Sequence, residues 1–198
     1  MTGRPKRHVK ATSMASVAQY TPPLTPPVQL DDVDVRLLRE LSDDARKSQR
    51  ALGRDLGMSA PALAARIARL ERLGVIQGYS TRINWPALGF TTIVYINVTI
   101  DLGYEMGEVM SQLMTIPEVE DVLVVTGNID MVVRARVRDH AHLRAFLQNA
   151  IWNVEGIQRT DTALSVAESP PKNIAAALLD ILQAQREGQD GSPGAGPP

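Results

Sequence analysis

Gly74 divides the sequence into two stretches whose apolar residues repeat with different periods. Upstream they recur three or four positions apart: Val35, Leu38 and Leu41, then Leu52 and Leu56, then Leu63, Ile67, Leu70 and Leu73. That is the spacing of helices with one apolar face. Downstream come short extended runs, and in the stretch from Thr91 an alternation puts Val94, Ile96, Val98 and Ile100 on one side of a strand. Stripes of these two kinds are buried in different ways, so two domains are expected, a helical one and then an α+β one. With 198 residues in the chain, either domain can bury a core without outside staples.

The helical stretch carries its own punctuation. Asp31 or Asp32 can cap a first helix, Ser48 or a neighbour a second, and Ser59 a third, with Gly74 as the stop. Between the second and third helices stands Gly57-Met58, where the glycine permits a sharp backbone turn. A short helix, a tight turn and a capped longer helix make a helix-turn-helix, predicted within residues 30–78. Val75-Ile76 and Tyr79 to Ile83, bracketed by Gly78 and Asn84-Trp85-Pro86, read as a wing or hinge strand, with a linker over 79–90.

Residues 91–168 are predicted as a strand at Thr91 to Ile100, a helix at about Tyr104 to Met114, and strands at Val119 to Thr126 and Met131 to Val137. A helix at Asp139 to Ile151 and a strand at Gly156 to Ala167 complete the order. The sequence βαββαβ is that of a ferredoxin-like split unit. Ile93 and Tyr95 fall on the strand face opposite Val94 and Ile96, among Asn97 and Thr99. An apolar second face wants a second sheet, which another copy of the chain supplies most simply, so a homodimer is expected. From Ser169 one amphipathic helix is predicted, Asn173 to about Arg186, followed by a disordered Gly/Pro/Ser tail.

The net charge of -1 hides an uneven distribution. Residues 1–29 carry Arg4, Lys6, Arg7 and Lys10 and no acid, residues 30–90 sum to +2, and residues 91–198 to -7. The positive first half suits a polyanion, and the acidic second half suits assembly or a small ligand. The absence of cysteine removes disulfides and thiolate metal sites. No apolar run approaches the ~20 residues that span a bilayer, and no signal-peptide core follows the basic N-terminus, so a cytoplasmic protein is expected. Residues 1–29, with Thr21-Pro22-Pro23 and Thr25-Pro26-Pro27, read as a disordered basic arm.

If Leu63, Ile67 and Leu70 face inward, the outward arc of the third helix holds Ala60, Pro61, Ala64, Ala65, Arg66, Arg69 and Arg72. Ser59 leaves the first amides of that helix available to a phosphate or base edge. Small residues allow close approach and can touch thymine methyls, Arg66 and Arg69 suit guanine or phosphate, and Arg72 and Arg82 suit the backbone. Each arginine taken singly can equally solvate a helix face, and Arg66 can pair with Asp31, Asp32, Asp34 or Asp55. Gly3-Arg4-Pro5-Lys6-Arg7 resembles an AT-hook core, with Thr2 where another arginine is usual; a solvated basic tail is the simpler reading.

The motifs Leu30-Asp31-x-x-Asp34, Arg46, Leu52-Gly53, Met58-Ser59 and Arg66-x-x-Arg69-Leu70-Glu71-x-x-Gly74-Val75-Ile76-x-Gly78-Tyr79 resemble the N-terminal domain of the Lrp/AsnC (feast/famine) transcriptional regulators. Ile116-Pro117-Glu118-Val119, Val125-Thr126-Gly127-x-x-Asp130 and the strand after Gly156-Ile157 with Thr160 and Thr162 extend the likeness. It covers Leu30 to Val166. Asp130-Met131 departs from it, since many relatives have an aromatic after the acid. The resemblance implies a nucleoid-associated regulator that binds double-stranded DNA, assembles as a homodimer, tetramer or octamer, and needs no cofactor. It also implies an amino-acid effector held between dimers near the Thr126 to Asp130 loop. Thr126, Gly127, Asn128, Asp130, Thr160 and Thr162 are chemically suited to that role: glycine admits backbone amides to a carboxylate, Asp130 can meet an ammonium, and the others offer neutral hydrogen bonds. A plain turn with Asp130 as its cap fits the same residues.

An enzyme is the rival class, but its candidates are few. His140 and His142 stand at i and i+2 near a helix start and point apart, which disfavours a metal pair. Glu118, Glu120 and Asp121 read as a solvated strand edge, and no nucleophile has a base beside it. A metabolite-binding protein without specific DNA binding is the second rival.

Overall fold

The computed structural model describes residues 14–21, 26–170 and 172–190. The chain divides into two compact units, Thr25–Thr81 with Ser169–Pro198 and Met1–Leu24 with Arg82–Glu168. We call them the helical unit and the sheet unit.

In the helical unit α1 spans Asp32–Asp43, α2 Gln49–Leu56, α3 Ala60–Arg72 and α6 Ile174–Asp190. Asp31 and Asp34 form a capping box at α1, each side chain accepting from the other's backbone amide. Ser48 caps α2 and Ser59 caps α3. Gly57 ends α2 in the left-handed region at φ 67°, the conformation glycine adopts without steric cost. Gly53 has a separate reason to lack a side chain: a Cβ there would lie 2.9 Å from the Met58 carbonyl oxygen, and the Met58 amide donates to the Gly53 carbonyl. Leu37, Leu52, Leu56, Leu63 and Leu70 form the core, flanked by Leu38, Leu41, Ile67, Val75 and Ile76. Most of the apolar residues that set the period are packed, but Leu73 is exposed and Leu37, outside that set, is fully buried.

α6 covers part of α1. Leu179 is buried, Arg39 pairs with Asp180, and the Asn173 amide donates to the Asp43 carboxylate at 2.6 Å and to the Ser42 carbonyl and hydroxyl. The helix continues past the expected Arg186 to Asp190. No strand forms over Val75 to Ile83 among the described residues, contrary to the wing expected there. A strand needs a neighbouring edge, and Tyr79 instead donates its hydroxyl to Glu71, while Ile83 is exposed.

In the sheet unit β1 spans Thr92–Ile100, α4 Met106–Met114, β2 Val119–Val124, β3 Met131–Val137, α5 His140–Asn149 and β4 Ile157–Leu164. The sheet is antiparallel in the order β2-β3-β1-β4, the ferredoxin-like topology. Val94, Ile96, Val98, Met131, Val133, Ala135 and Val137 line the buried face against Val109 and Leu113 of α4 and Leu143 and Phe146 of α5. Gly156, at φ 90°, lies under the Tyr104 ring, where an added Cβ would come within 2.6 Å of the ring.

Two expectations change here. Ile93 is buried, so the outer face keeps Tyr95 and Leu123 as its exposed apolar residues, with Val132 half-buried between them. Met14–Tyr20, expected within a disordered arm, is a 3-10 helix whose Val17 belongs to the sheet-unit core. The basic residues Arg4 to Lys10 and the tail beyond Asp190 lie outside the described residues.

Candidate nucleic-acid interface

The polar chemistry of the helical unit converges on Asp34, the one charged residue fully buried among those described. Its carboxylate already serves the capping box, and it receives Arg66 at 2.6 Å and Arg69 at 3.0 Å. Arg66 also reaches both oxygens of Asp31, at 2.7 and 2.6 Å. The Arg66 hydrogen bond draws the Asp31 carboxyl below its usual range, while Asp31 and then Asp34 raise the guanidinium pKa. Arg69 extends a second nitrogen to the Gln29 carbonyl, at 3.3 Å. A buried carboxylate is tolerable because these donors replace its water. The network pins α3 to α1 and fixes the azimuth of α3.

Once Arg66 and Arg69 are turned toward α1, the apex of α3 is left to Pro61, Ala65, Ala68 and Arg72, all exposed. Ser59 and Ala60 are exposed at the start of the helix, and Ala64 is half-buried on its flank. The Ser59 hydroxyl accepts from Ala62 at 3.4 Å, a long cap that leaves the first amides outward. Arg72 is exposed and has no ion-pair partner among the described residues. Of the arginines assigned to DNA from the sequence, the structure therefore leaves Arg72 outward, leaves Arg69 partly so, and engages Arg66 internally.

Two arginines escaped the sequence reading. Arg50 and Arg54 stand one turn apart on α2, exposed and without ion-pair partners among the described residues, and with Ala60 they line a cleft at the α2–α3 turn. Their signal was available in the i, i+4 spacing, but it needed the turn geometry to place them beside the start of α3. Lys47, by contrast, is occupied by Glu40 and Asp55; these pairs raise its pKa and lower that of Asp55.

In the sheet unit the 125–130 loop closes on itself, with the Val125 amide donating to the Asp130 carbonyl. Gly127 sits at φ 131° in open space, so backbone conformation rather than crowding calls for glycine there. The Asp130 amide donates to Val98, and its carboxylate accepts from the Ile100 amide at 2.8 Å, which ties the loop to the end of β1. Thr126 and Asn128 are exposed. Thr160 and Thr162 lie across β1 from β3, opposite Val98 and Ile96, and therefore on the helix-covered side of the sheet. Trp152 donates to the Thr160 hydroxyl at 3.4 Å. The loop and Thr160 thus flank the same end of β1 from opposite sides. His142, one of the enzyme candidates, meets Glu118 at 3.0 Å and accepts the Arg138 amide on Nδ1, a structural pairing at the α5 start.

Residues 30–77 match the winged helix-turn-helix DNA-binding family and residues 93–172 the Lrp/AsnC ligand-binding domain. The HTH-type transcriptional regulator FL11 of Pyrococcus furiosus is 31% identical over 135 residues, covering 68% of this chain and 88% of that one. The Bkd operon transcriptional regulator of Pseudomonas aeruginosa is 30% identical over 140 residues, covering 70% and 92%. Among solved structures, the feast or famine regulatory protein of Mycobacterium tuberculosis complexed with L-methionine superposes with a TM-score of 0.67 at 32% identity, covering 73% of this chain and 97% of that one. The paired matches, in this order and over these two units, place the chain in the Lrp/AsnC family of helix-turn-helix transcriptional regulators.

Proposed function

We propose that this regulator reads duplex DNA with the outer arc of α3 and answers an amino acid or related metabolite through the 126–130 loop. The sorting of the arginines carries the first half of that reading. Arg66 is a positioning residue that holds α3 on α1, whereas Arg50, Arg54 and Arg72 are left to meet phosphates around a helix whose outer surface is alanine and proline. Ser59, Ala60, Pro61, Ala64 and Ala65 allow the helix start to lie close in the major groove, and Arg69 keeps enough exposure to reach a base or phosphate. α2 then crosses the backbone, as the first helix of such motifs does.

Effector binding is supported by chemistry of a second kind. Gly127 admits backbone amides to a carboxylate, Thr126 and Asn128 offer exposed hydrogen-bonding groups, and Asp130 has a second oxygen for an ammonium. Thr160 and Thr162 extend the polar lining. The methionine-bound relative makes L-methionine the first compound to try. Tyr95, Leu123 and Val132 suit the sheet face to a second copy, and such a dimer presents two α3 helices to half-sites about 34 Å apart. The effector acts by favouring one assembly over another, and a coupling of ~1–3 kcal/mol suffices for a several-fold to hundredfold change in occupancy.

The test is a salt-series titration on the duplex that the protein selects from random-sequence DNA, repeated with a panel of amino acids. Strongly salt-dependent, specific binding is expected, with Arg54→Ala and Arg72→Ala each lowering the salt slope by about one. Binding that no amino acid shifts would remove the sensor. Association that is weak and insensitive to salt would leave a metabolite-binding protein without specific DNA recognition.

A further inference from the structure

Among the described residues three strand arginines point to the outer face of the sheet, and two of them are engaged within the chain. Arg134 and Arg136 stand opposite Tyr95 and Ile93, and both pair with Glu120, at 3.1 and 2.6 Å. Arg159 stands opposite Thr99 on the edge strand β4, so it shares the outer face with Tyr95, Asn97 and Thr99. It is exposed and has no ion-pair or hydrogen-bond partner among the described residues. A β-bulge follows at once: Thr99 faces Arg159 but Ile100 faces Ile157, so Gln158 is the extra residue and the strand bends beside Arg159.

On the other side of β1 the same register brings up Asp130. Met131 stands opposite Val98, so Asp130 comes one step later, beside Thr99. Its amide donates to the Val98 carbonyl, and one carboxylate oxygen accepts from the Ile100 amide at 2.8 Å. The side chain is thereby fixed, and its second oxygen has no partner among the described residues. Neighbouring strands lie ~4.8 Å apart, so Asp130 and Arg159 are roughly 10 Å apart at the backbone, with the half-buried Thr99 between them. A fixed anion and an unengaged cation thus flank one hydroxyl without pairing. Asp161, opposite Asn97 on the same face, is the nearer acid along β4, but it is exposed and no hydrogen bond among the described residues fixes it.

We infer that Arg159 holds the carboxylate of an α-amino-acid effector whose ammonium rests on Asp130, with the ligand lying across Thr99. The assignment rests on the effector-sensing function proposed above and deepens it. An α-amino acid carries both charges on one carbon, so it needs an anion and a cation on either side of a narrow space. A guanidinium gives a carboxylate two parallel charge-assisted hydrogen bonds, stronger than those of neutral amides, so the carboxylate goes to Arg159 in preference to the Gly127 amides. The Thr99 hydroxyl, without a partner among the described residues, is able to serve either group. Such a site selects the free zwitterion. A ligand that lacks the carboxylate charge leaves Arg159 unmet, and one that lacks the ammonium sets its carboxylate beside Asp130 with no cation between them.

Arg159→Gln removes the charge at an exposed, unpaired position. The twenty common L-amino acids, L-methionine first, are titrated calorimetrically into the full chain, followed by the C-terminal amide and the N-acetyl form of the one that binds best. The wild-type chain is expected to bind each derivative about tenfold or more weakly than the parent, and Arg159→Gln to lose about as much affinity for the parent together with its preference for acid over amide. Asp161→Asn should bind as the wild type does. Without amino acid, Arg159→Gln should keep the wild-type salt slope on selected duplex, which the loss of a phosphate contact would lower. Unchanged affinity in Arg159→Gln would overturn the inference, and a preference for acid over amide that survives in it would return the carboxylate to the Gly127 amides. Lost binding in Asp161→Asn would take the ammonium away from Asp130. Altered sedimentation of Arg159→Gln with unaltered affinity would assign the arginine to a contact between copies instead. A wild-type chain that binds none of the twenty amino acids would sink the sensing function itself.

Discussion

The two units solve the problem of fixing a surface in opposite ways. In the helical unit α3, the helix proposed to meet DNA, is held by buried charge: Asp34, with no exposure, receives two guanidiniums and one backbone amide. In the sheet unit the buried layer is wholly apolar, and its charged pairs lie outside that layer, Glu120 with Arg134 and Arg136 on the outer face of the sheet and Glu118 with His142 at the start of α5. A unit of four short helices has few layers from which to orient one helix, and a directional ionic network supplies orientation that leucines do not. A four-stranded sheet already has its orientation from the hydrogen-bond ladder. Single polar substitutions should therefore cripple the first unit, and the second should yield mainly to loss of volume.

Asp34→Ala is the sharpest way to break that contrast. It strips the buried partner from Arg66 and Arg69, and a loss of about 3–5 kcal/mol in chemical unfolding of the helical unit is expected; a loss below about 1 kcal/mol would mean that the network is incidental. Leu113→Ala, in a fully buried position of α4, should cost about 2–4 kcal/mol in the sheet unit. Gly156→Ala should cost about 1–3 kcal/mol, because both the positive φ and the Tyr104 ring oppose a side chain. Unchanged melting of that variant would show that Tyr104 swings aside freely and that the φ is tolerated.

The smallest effect expected is one of pH. The Asp31 carboxyl is depressed by Arg66, so its contribution is present above the ordinary carboxylate range near pH 4 and disappears as pH falls through the lowered value. Acid titration of helical-unit stability should show this loss, and Asp31→Asn should flatten it. An unchanged acid limb in Asp31→Asn would assign the loss to other carboxylates.

Much of this was legible in the residues. The apolar period located all six α-helices and all four strands within a few residues, because burial of one face dictates spacing whatever the neighbours are. Ser48, Ser59 and Gly57 marked the ends of α2 and α3 for equally local reasons. Arg66 showed the limit, since its type and spacing fitted either a phosphate or Asp31 and Asp34, and only the crossing of α1 and α3 decides which carboxylate comes within 2.6 Å. The Tyr79 to Ile83 run has strand composition, yet composition does not provide an edge to pair with.

The sequence by itself determined where the elements lie and which of their faces are mainly apolar, for these follow from spacing within a few residues. Tertiary structure alone decided which arginines are locked and which are offered, that Thr160 and Thr162 face the helix side of the sheet, and that Val17 enters a core ninety residues away. Those outcomes depend on the approach of segments distant in sequence, and neither spacing nor residue type records that distance.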